Sequence, residues 1–299
     1  MLSKEIILKR LALIKYLYKI GLDQSKQVET IASFSILTFH DSVEMFLKLI
    51  AEHSEIKSDN FNFLDYWAHI PTLTLKESMR SLNTRRVNIK HKGILLSISD
   101  IEMSRVITTD FFEQNVIIQC GIEFKDISLL NLINYENVRI HLEKAQETLN
   151  TNQIENSINE SALAFTKLLD TYENSKTRNW YGDSPFFFGK DFTFLRSSSM
   201  DIENSDLKEF IDKVKGSLEI IQKAIKIISF GIDYKRFIKF SMLTPEVSIG
   251  LGREYILNTF YKKKWTKENC QYCIDFVLDC ALKLQEFDFD IIEIEESEN

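Results

Sequence analysis

LKESMRSLNTRRVNIKHKG, residues 75–93, is the stretch from which the architecture of this chain is read. At about 100° per residue, Leu75, Met79, Leu82, Ile89 and Gly93 fall on one narrow stripe, the signature of a helix with a single core-facing row. Pro71 and then Thr74-x-x-Glu77 read as a turn followed by a capping box, in which the threonine hydroxyl and the glutamate satisfy free amides of the first turn. Gly93 stops the helix, which is predicted over about 75–92. With only 9 Gly and 3 Pro in 299 residues, long helices on short connections are favoured over a barrel or sandwich built on tight turns, and the class is all-α.

Upstream, Ile7, Leu11, Ile14 and Leu17 form the stripe of a first helix that Gly21 ends. A longer one is predicted from about Ser25 to about His53, with Val28, Ala32, Phe39, Phe46 and Leu49 on one face and the small Ser35 and Ser42 allowing close packing. Downstream, Ser99-x-x-Glu102 opens another helix, and shorter helical patterns run through Leu129–Ile133 and Val138–Leu149. The first domain is therefore drawn over residues 1–150. The second, 151–299, begins with a helix from about Gln153 to Tyr172. It passes through an irregular, aromatic-rich insertion, Asn174 to Ser205, and regains periodicity from Asp206 with Glu209 as a capping partner. Phe210, Val214, Leu218, Ile221, Ile225 and Ile228 form a clean stripe there, and the last helix runs from about Lys267 to about Leu284. The tail from Glu286 to Asn299 is acidic, without Lys or Arg, and reads as a solvated end.

The bulk numbers narrow the function classes. Hydrophobic residues at 44% and charged ones at 27% suit one large core or two ordinary ones. No apolar window approaches the roughly 18 residues that span a bilayer, so no membrane partner is expected. The N-terminal residues lack the apolar core and small-residue site of a signal peptide, so a cytoplasmic location is expected. The 4 cysteines, Cys120, Cys270, Cys273 and Cys280, are read as thiols that pack. Neither a metal nor a cofactor is expected: no phosphate-cradling glycine loop is present, and Cys270-x-x-Cys273 lacks a second pair at zinc spacing. A formal charge of -7 argues against indiscriminate binding to long nucleic acid, while leaving room for a local basic site.

Such a site lies on the opening stretch. Arg86 occupies the core-facing row where a leucine belongs, and a guanidinium there must be paired or must line a cavity or interface. Lys76, Arg80, Arg85, Arg86, Lys90 and Lys92 stand against the single acid Glu77, so an acidic chain concentrates positive charge on one helix. His91 can exchange a proton near neutral pH, and Asn88, three residues earlier, can orient it. Five residues place His91 about 140° around the helix from Arg86, so the two meet only if the helix distorts, the arginine reaches across, or two chains share a groove. The plainer alternatives are an ion pair from Arg86 to Glu44 or Asp41, and a helix-capping His91. His40, Asp41 and Glu44 read either as a solvated or ion-paired face or as a metal site.

The run from Leu82 to Gly93, with Arg86, Asn88, His91 and a Lys-His-x-Gly ending, resembles the R-x4-6-H signature of HEPN domains. The segment His40 to Lys48, with its glutamate in an apolar helical setting, resembles their second helix. Over roughly residues 1–150 the resemblance implies an antiparallel helical bundle that dimerises so that two motifs meet in a cleft. It further implies a metal-independent endoribonuclease of toxin or antiphage defence systems, in which the ribose 2'-hydroxyl attacks the adjacent phosphate. His91 would then move protons, Arg86 would stabilise charge in the transition state and Asn88 would position groups around them. Arg85, Lys90, Lys92, Glu44 and Asp41 would support the site or hold substrate. In active members the residue after the arginine is often polar; here it is Val87, and the alternative Arg85 gives a spacing of six. The expected partners are RNA, a second copy of the chain and a regulatory partner protein. The competing class is a non-catalytic module that binds a nucleotide, nucleic acid or protein through the same basic groove. The aromatics between Arg178 and Arg196 are expected to plug a core, with a substrate or partner surface as the other reading.

Overall fold

Ser3 opens the first helix, accepting the Ile6 amide on its hydroxyl (3.4 Å), and α1 runs Lys4–Ser25. The computed structural model describes residues 2–177, 184–186, 188, 205–250, 254–258, 264–286 and 288, and the described chain is all-α apart from one hairpin. Two units result, Met1–Leu132 and Ile133–Asn299.

In the first unit, α3 (Ser35–His53) lies against α1, α5 (Lys76–Lys92) and α6 (Ile98–Cys120). It buries Ile36, Phe39, Val43, Phe46, Leu47 and Ile50 at the spacing of an amphipathic helix. Ser35 and Ser42, the small residues of the sequence pattern, are fully buried. Between these helices come two single turns, α2 (Glu29–Ala32) and α4 (Tyr66–His69). The core is rich in aromatic edges: Phe46 meets Phe111 and Phe112 at 5.7 and 6.0 Å, and Tyr18 meets Phe112 at 5.5 Å.

Several local expectations change here. Gly21 does not end α1, which continues four residues further because Gly21 faces Phe39: a Cβ on it would stand 2.7 Å from two atoms of that buried ring. The helix expected over 25–53 breaks at Ser33–Phe34, where Ser33 turns inward to accept the Leu96 amide (3.2 Å) and leaves Val28 exposed. Thr74 does not cap α5. Its amide donates to Asn115 Oδ1 (2.9 Å), its hydroxyl to Gln114 Oε1 (3.0 Å), and its carbonyl accepts from Trp67 Nε1 (2.9 Å). These tertiary partners take the groups a cap would use. Leu75 then enters the helix at φ 60°, a left-handed conformation uncommon for a branched side chain. The cap of α6 is Ser97 rather than Ser99, with the Asp100 amide donating to its Oγ (3.2 Å).

In the second unit, α7 (Glu136–Asn150) and α8 (Ile154–Ser175) form an antiparallel pair, and α11 (Lys267–Glu286) packs on both. The division therefore falls at Leu132–Ile133 rather than near residue 150, since α7 shares a core with α8 and α11. α9 (Ser205–Ser229) and α10 (Tyr234–Leu243) lead into a hairpin of β1 (Glu246–Ile249) and β2 (Tyr255–Asn258), which no alternation in the sequence had announced. The stripe on α9 from Phe210 to Ile228 is helical as expected, but its members are exposed and Ile227 beside it is the buried residue. Phe186 packs against Tyr172 and Phe230 (5.8 and 4.9 Å), in keeping with a core role for the aromatic insertion. Most of that insertion lies outside the described residues, as does most of the acidic tail. Asp288 of the tail pairs with the buried Lys176 at 2.5 Å, which corrects its reading as a solvated acid.

Candidate functional site on α3 and α5

The helical rule places Asn83 and Arg86 on one face of α5, three residues apart, and His40 and Glu44 on one face of α3, one turn apart. The two faces meet. His40 Nε2 lies 3.1 Å from Asn83 Oδ1, and since that oxygen only accepts, Nε2 carries the proton. The imidazole stacks on Phe63, centroids 4.1 Å apart, and its side chain is 3% exposed. Burial, then the Arg86 guanidinium, hold His40 below the ordinary imidazole range against the opposing pull of Glu44 and Asp41. The ring is thus neutral near pH 7, roughly its unperturbed condition made firmer.

Glu44 gives one carboxylate oxygen to Lys48 (2.8 Å) and turns the other toward His40 Nδ1 (3.8 Å). Burial works against its ionisation, but the Lys48 bond and the charges of Lys48, His40 and Arg86 outweigh it and leave the carboxyl below its ordinary value. Asp41, more exposed, sets Oδ1 3.7 Å from the same nitrogen. His40 Nδ1 is buried and has no hydrogen-bond partner among the described residues.

Arg86 is half-buried on the face that meets His40 and Glu44, and it forms no ion pair among the described residues; its charge acts on both groups without a contact. The ion pair to Glu44 or Asp41, the plainer alternative read from the sequence, is therefore not made. Arg85 is the paired arginine: its Nε donates to Asp100 Oδ1 (3.2 Å) at the start of α6. Lys90, His91 and Lys92 stand exposed in the last turn of α5, and Asn88 is half-buried. Gly93 closes that turn at φ 64°, with Ile94 N–H donating to the Asn88 carbonyl (3.1 Å), as its position in the sequence required. Because α5 is α-helical from Lys76 through Lys92, one chain does not bring Arg86 and His91 together. Beyond Gly93, Ile94 and Leu95 are exposed, and the Leu96–Ser33 bond ties this segment to the turn that carries the exposed Ile31 and Phe34.

Sequence reasoning gave Arg86, Glu44 and Asp41 but missed Asn83 and gave His40 little weight. The signal was present in the three- and four-residue spacings, but it becomes meaningful only once the two helices are known to touch. Elsewhere, Cys270, Cys273 and Cys280 are buried thiols along α11, and Cys120 is half-buried. A cleft of about 780 Å³ in the second unit, lined by Phe165, Phe237, Phe240, Glu173 and Lys226, also takes in Phe188 of the aromatic insertion but none of the residues on α3 and α5. Among the described residues no helix is long and apolar enough to cross a membrane. Comparison with family models, with curated proteins and with solved structures gives no match.

Proposed function

We propose that the first unit is a metal-independent endoribonuclease that works as a homodimer, with Arg86 of one chain and His91 of the other facing one RNA phosphodiester. The observation that carries this reading is Arg86: a half-buried guanidinium on the core-facing row of a basic helix, with no ion pair among the described residues. A purely structural arginine at that position is expected to hold a carboxylate, as Arg85 does. Arg86 would stabilise the charge that develops as the ribose 2'-hydroxyl attacks phosphorus, while His91 would move protons at the attacking or leaving oxygen. Lys90 and Lys92 beside it would hold neighbouring phosphates. The exposed Ile31, Phe34, Ile94 and Leu95 next to the helix end suit self-association. A toxin or antiphage role, a regulatory partner protein and a cytoplasmic setting belong to the same proposal and rest on the HEPN resemblance alone.

The separation of Arg86 and His91 around α5 favours a second reading, a non-catalytic module that uses the basic helix only to hold RNA. Incubating wild type, Arg86→Ala and His91→Ala with mixed single-stranded and transfer RNA in EDTA separates the two. Cleavage leaving cyclic-phosphate ends, lost in both variants, is the expected result. Equal background from three folded proteins that still shift RNA on a gel supports the binding module instead.

A further inference from the structure

His40, Asp41 and Glu44 raise a problem that the proposed ribonuclease chemistry does not use. The proton on His40 sits at Nε2, engaged by Asn83, so Nδ1 presents a bare lone pair. That nitrogen is buried, and two carboxylate oxygens lie beside it, Asp41 Oδ1 at 3.7 Å and Glu44 Oε2 at 3.8 Å. Both separations exceed a hydrogen bond, and three electron-rich atoms facing one another repel unless a cation stands between them. The donor atoms all lie within 4.8 Å of one another.

We infer that His40 Nδ1, Asp41 and Glu44 bind one divalent transition-metal ion of the Zn²⁺ type, independently of whether the chain cleaves RNA. A tetrahedral ion bonded at about 2.0–2.2 Å holds its ligands ~3.4 Å apart, so the two carboxylates need to approach Nδ1 by only a few tenths of an ångström, and each other by no more than about 1.4 Å, within reach of side-chain rotation. One imidazole with two carboxylates suits Zn²⁺ or Mn²⁺ better than a soft ion, which selects thiolates. The surrounding groups are those that such a site requires. Asn83 takes the other ring N–H and so fixes the tautomer, Phe63 holds the ring plane, and Lys48 occupies the oxygen of Glu44 that faces away. Asp41, the exposed member, opens the site to solvent and leaves a fourth position for water. All three ligands come from α3, and the His40–Asn83 bond carries the constraint to α5.

The test is titration of untagged, chelator-stripped full-length protein with Zn²⁺, followed by calorimetry and by the visible absorption of Co²⁺ as a substitute. Wild type is expected to bind one ion per chain. Asp41→Asn and Glu44→Gln, which replace partly exposed groups and leave the fold intact by circular dichroism, are expected to bind at least about tenfold more weakly, and Asn83→Ala about 10–100-fold more weakly. His40→Gln is expected to abolish binding. Wild-type affinity retained in both carboxylate variants, or no stoichiometric binding by wild type, overturns the inference. Arg86→Ala and His91→Ala keep every ligand, so loss of RNA cleavage and loss of metal are read separately.

Discussion

The two adjacent arginines of α5 divide the work that the sequence left ambiguous. Arg85 reaches α6 and meets Asp100, with side chains 19% and 42% exposed, whereas Arg86 turns to α3 and meets no carboxylate among the described residues. An ion pair of that exposure contributes little, so Arg85→Ala is expected to lower stability by about 1 kcal/mol in urea unfolding. If Arg86 is the catalytic arginine, the same variant retains RNA cleavage; a loss equal to that of Arg86→Ala would assign the role to Arg85 and its six-residue spacing. Gly21 is a second single-residue decision. Alanine gains about 1 kcal/mol of helix propensity over glycine, but its methyl would sit 2.7 Å from the fully buried Phe39 ring, which Tyr18 backs at 5.8 Å. Overpacking of that kind costs about 1–3 kcal/mol and wins, so Gly21→Ala is expected to lower the urea midpoint. Adding Phe39→Leu should recover part of the loss, and strict additivity of the two would show that the ring is not the obstacle.

At the scale of elements, α11 shows how burial sets chemistry. Cys273, pushed up to about 12 chiefly by burial and then by its neighbour Cys270, and Cys280, raised further by burial, are both buried along α11, which packs on α7, α8 and α10. A thiol so far from ionisation is a poor nucleophile. Iodoacetamide in mildly alkaline solution is therefore expected to leave both unmodified in native protein and to alkylate all 4 cysteines after denaturation, as mass spectrometry would read. Rapid native alkylation of Cys273 would mean that α11 detaches from its neighbours. The starts of α5 and α6 make a related point. Ser97 caps α6 with groups three residues away, while Thr74 gives up the cap of α5 because Asn115, fully buried, accepts its amide and donates from Nδ2 to its hydroxyl oxygen.

For the whole molecule, the consequential expectation is that one chain is not enough. Arg86 and His91 lie about 140° apart on an unbroken helix, so a cleft containing both needs a second copy. Mixing Arg86→Ala with His91→Ala chains then regenerates one intact pairing per mixed dimer, and about a quarter of wild-type cleavage is expected from random reassortment. Monomeric protein by sedimentation, or a mixture as inactive as its parents, would count against the shared cleft.

What the sequence determined by itself is what short-range periodicity and special residues encode. The helices follow from three- and four-residue spacings in a chain poor in Gly and Pro, the all-α class follows from the helices, and Gly93 ends α5 because only glycine readily takes φ 64°. The basic character of α5 and the oddity of Arg86 were legible for the same reason. Which stripe is covered was not, because coverage depends on segments far away in the chain. Phe39 makes Gly21 a contact rather than a stop, Leu96 breaks the helix expected from Ser25, and the clean stripe of α9 stays exposed. The same holds for the candidate site. His40 and Asn83 are ordinary residues 43 positions apart until α3 and α5 pack, and that contact fixes the proton on one ring nitrogen and leaves the other, unpartnered, beside two carboxylates.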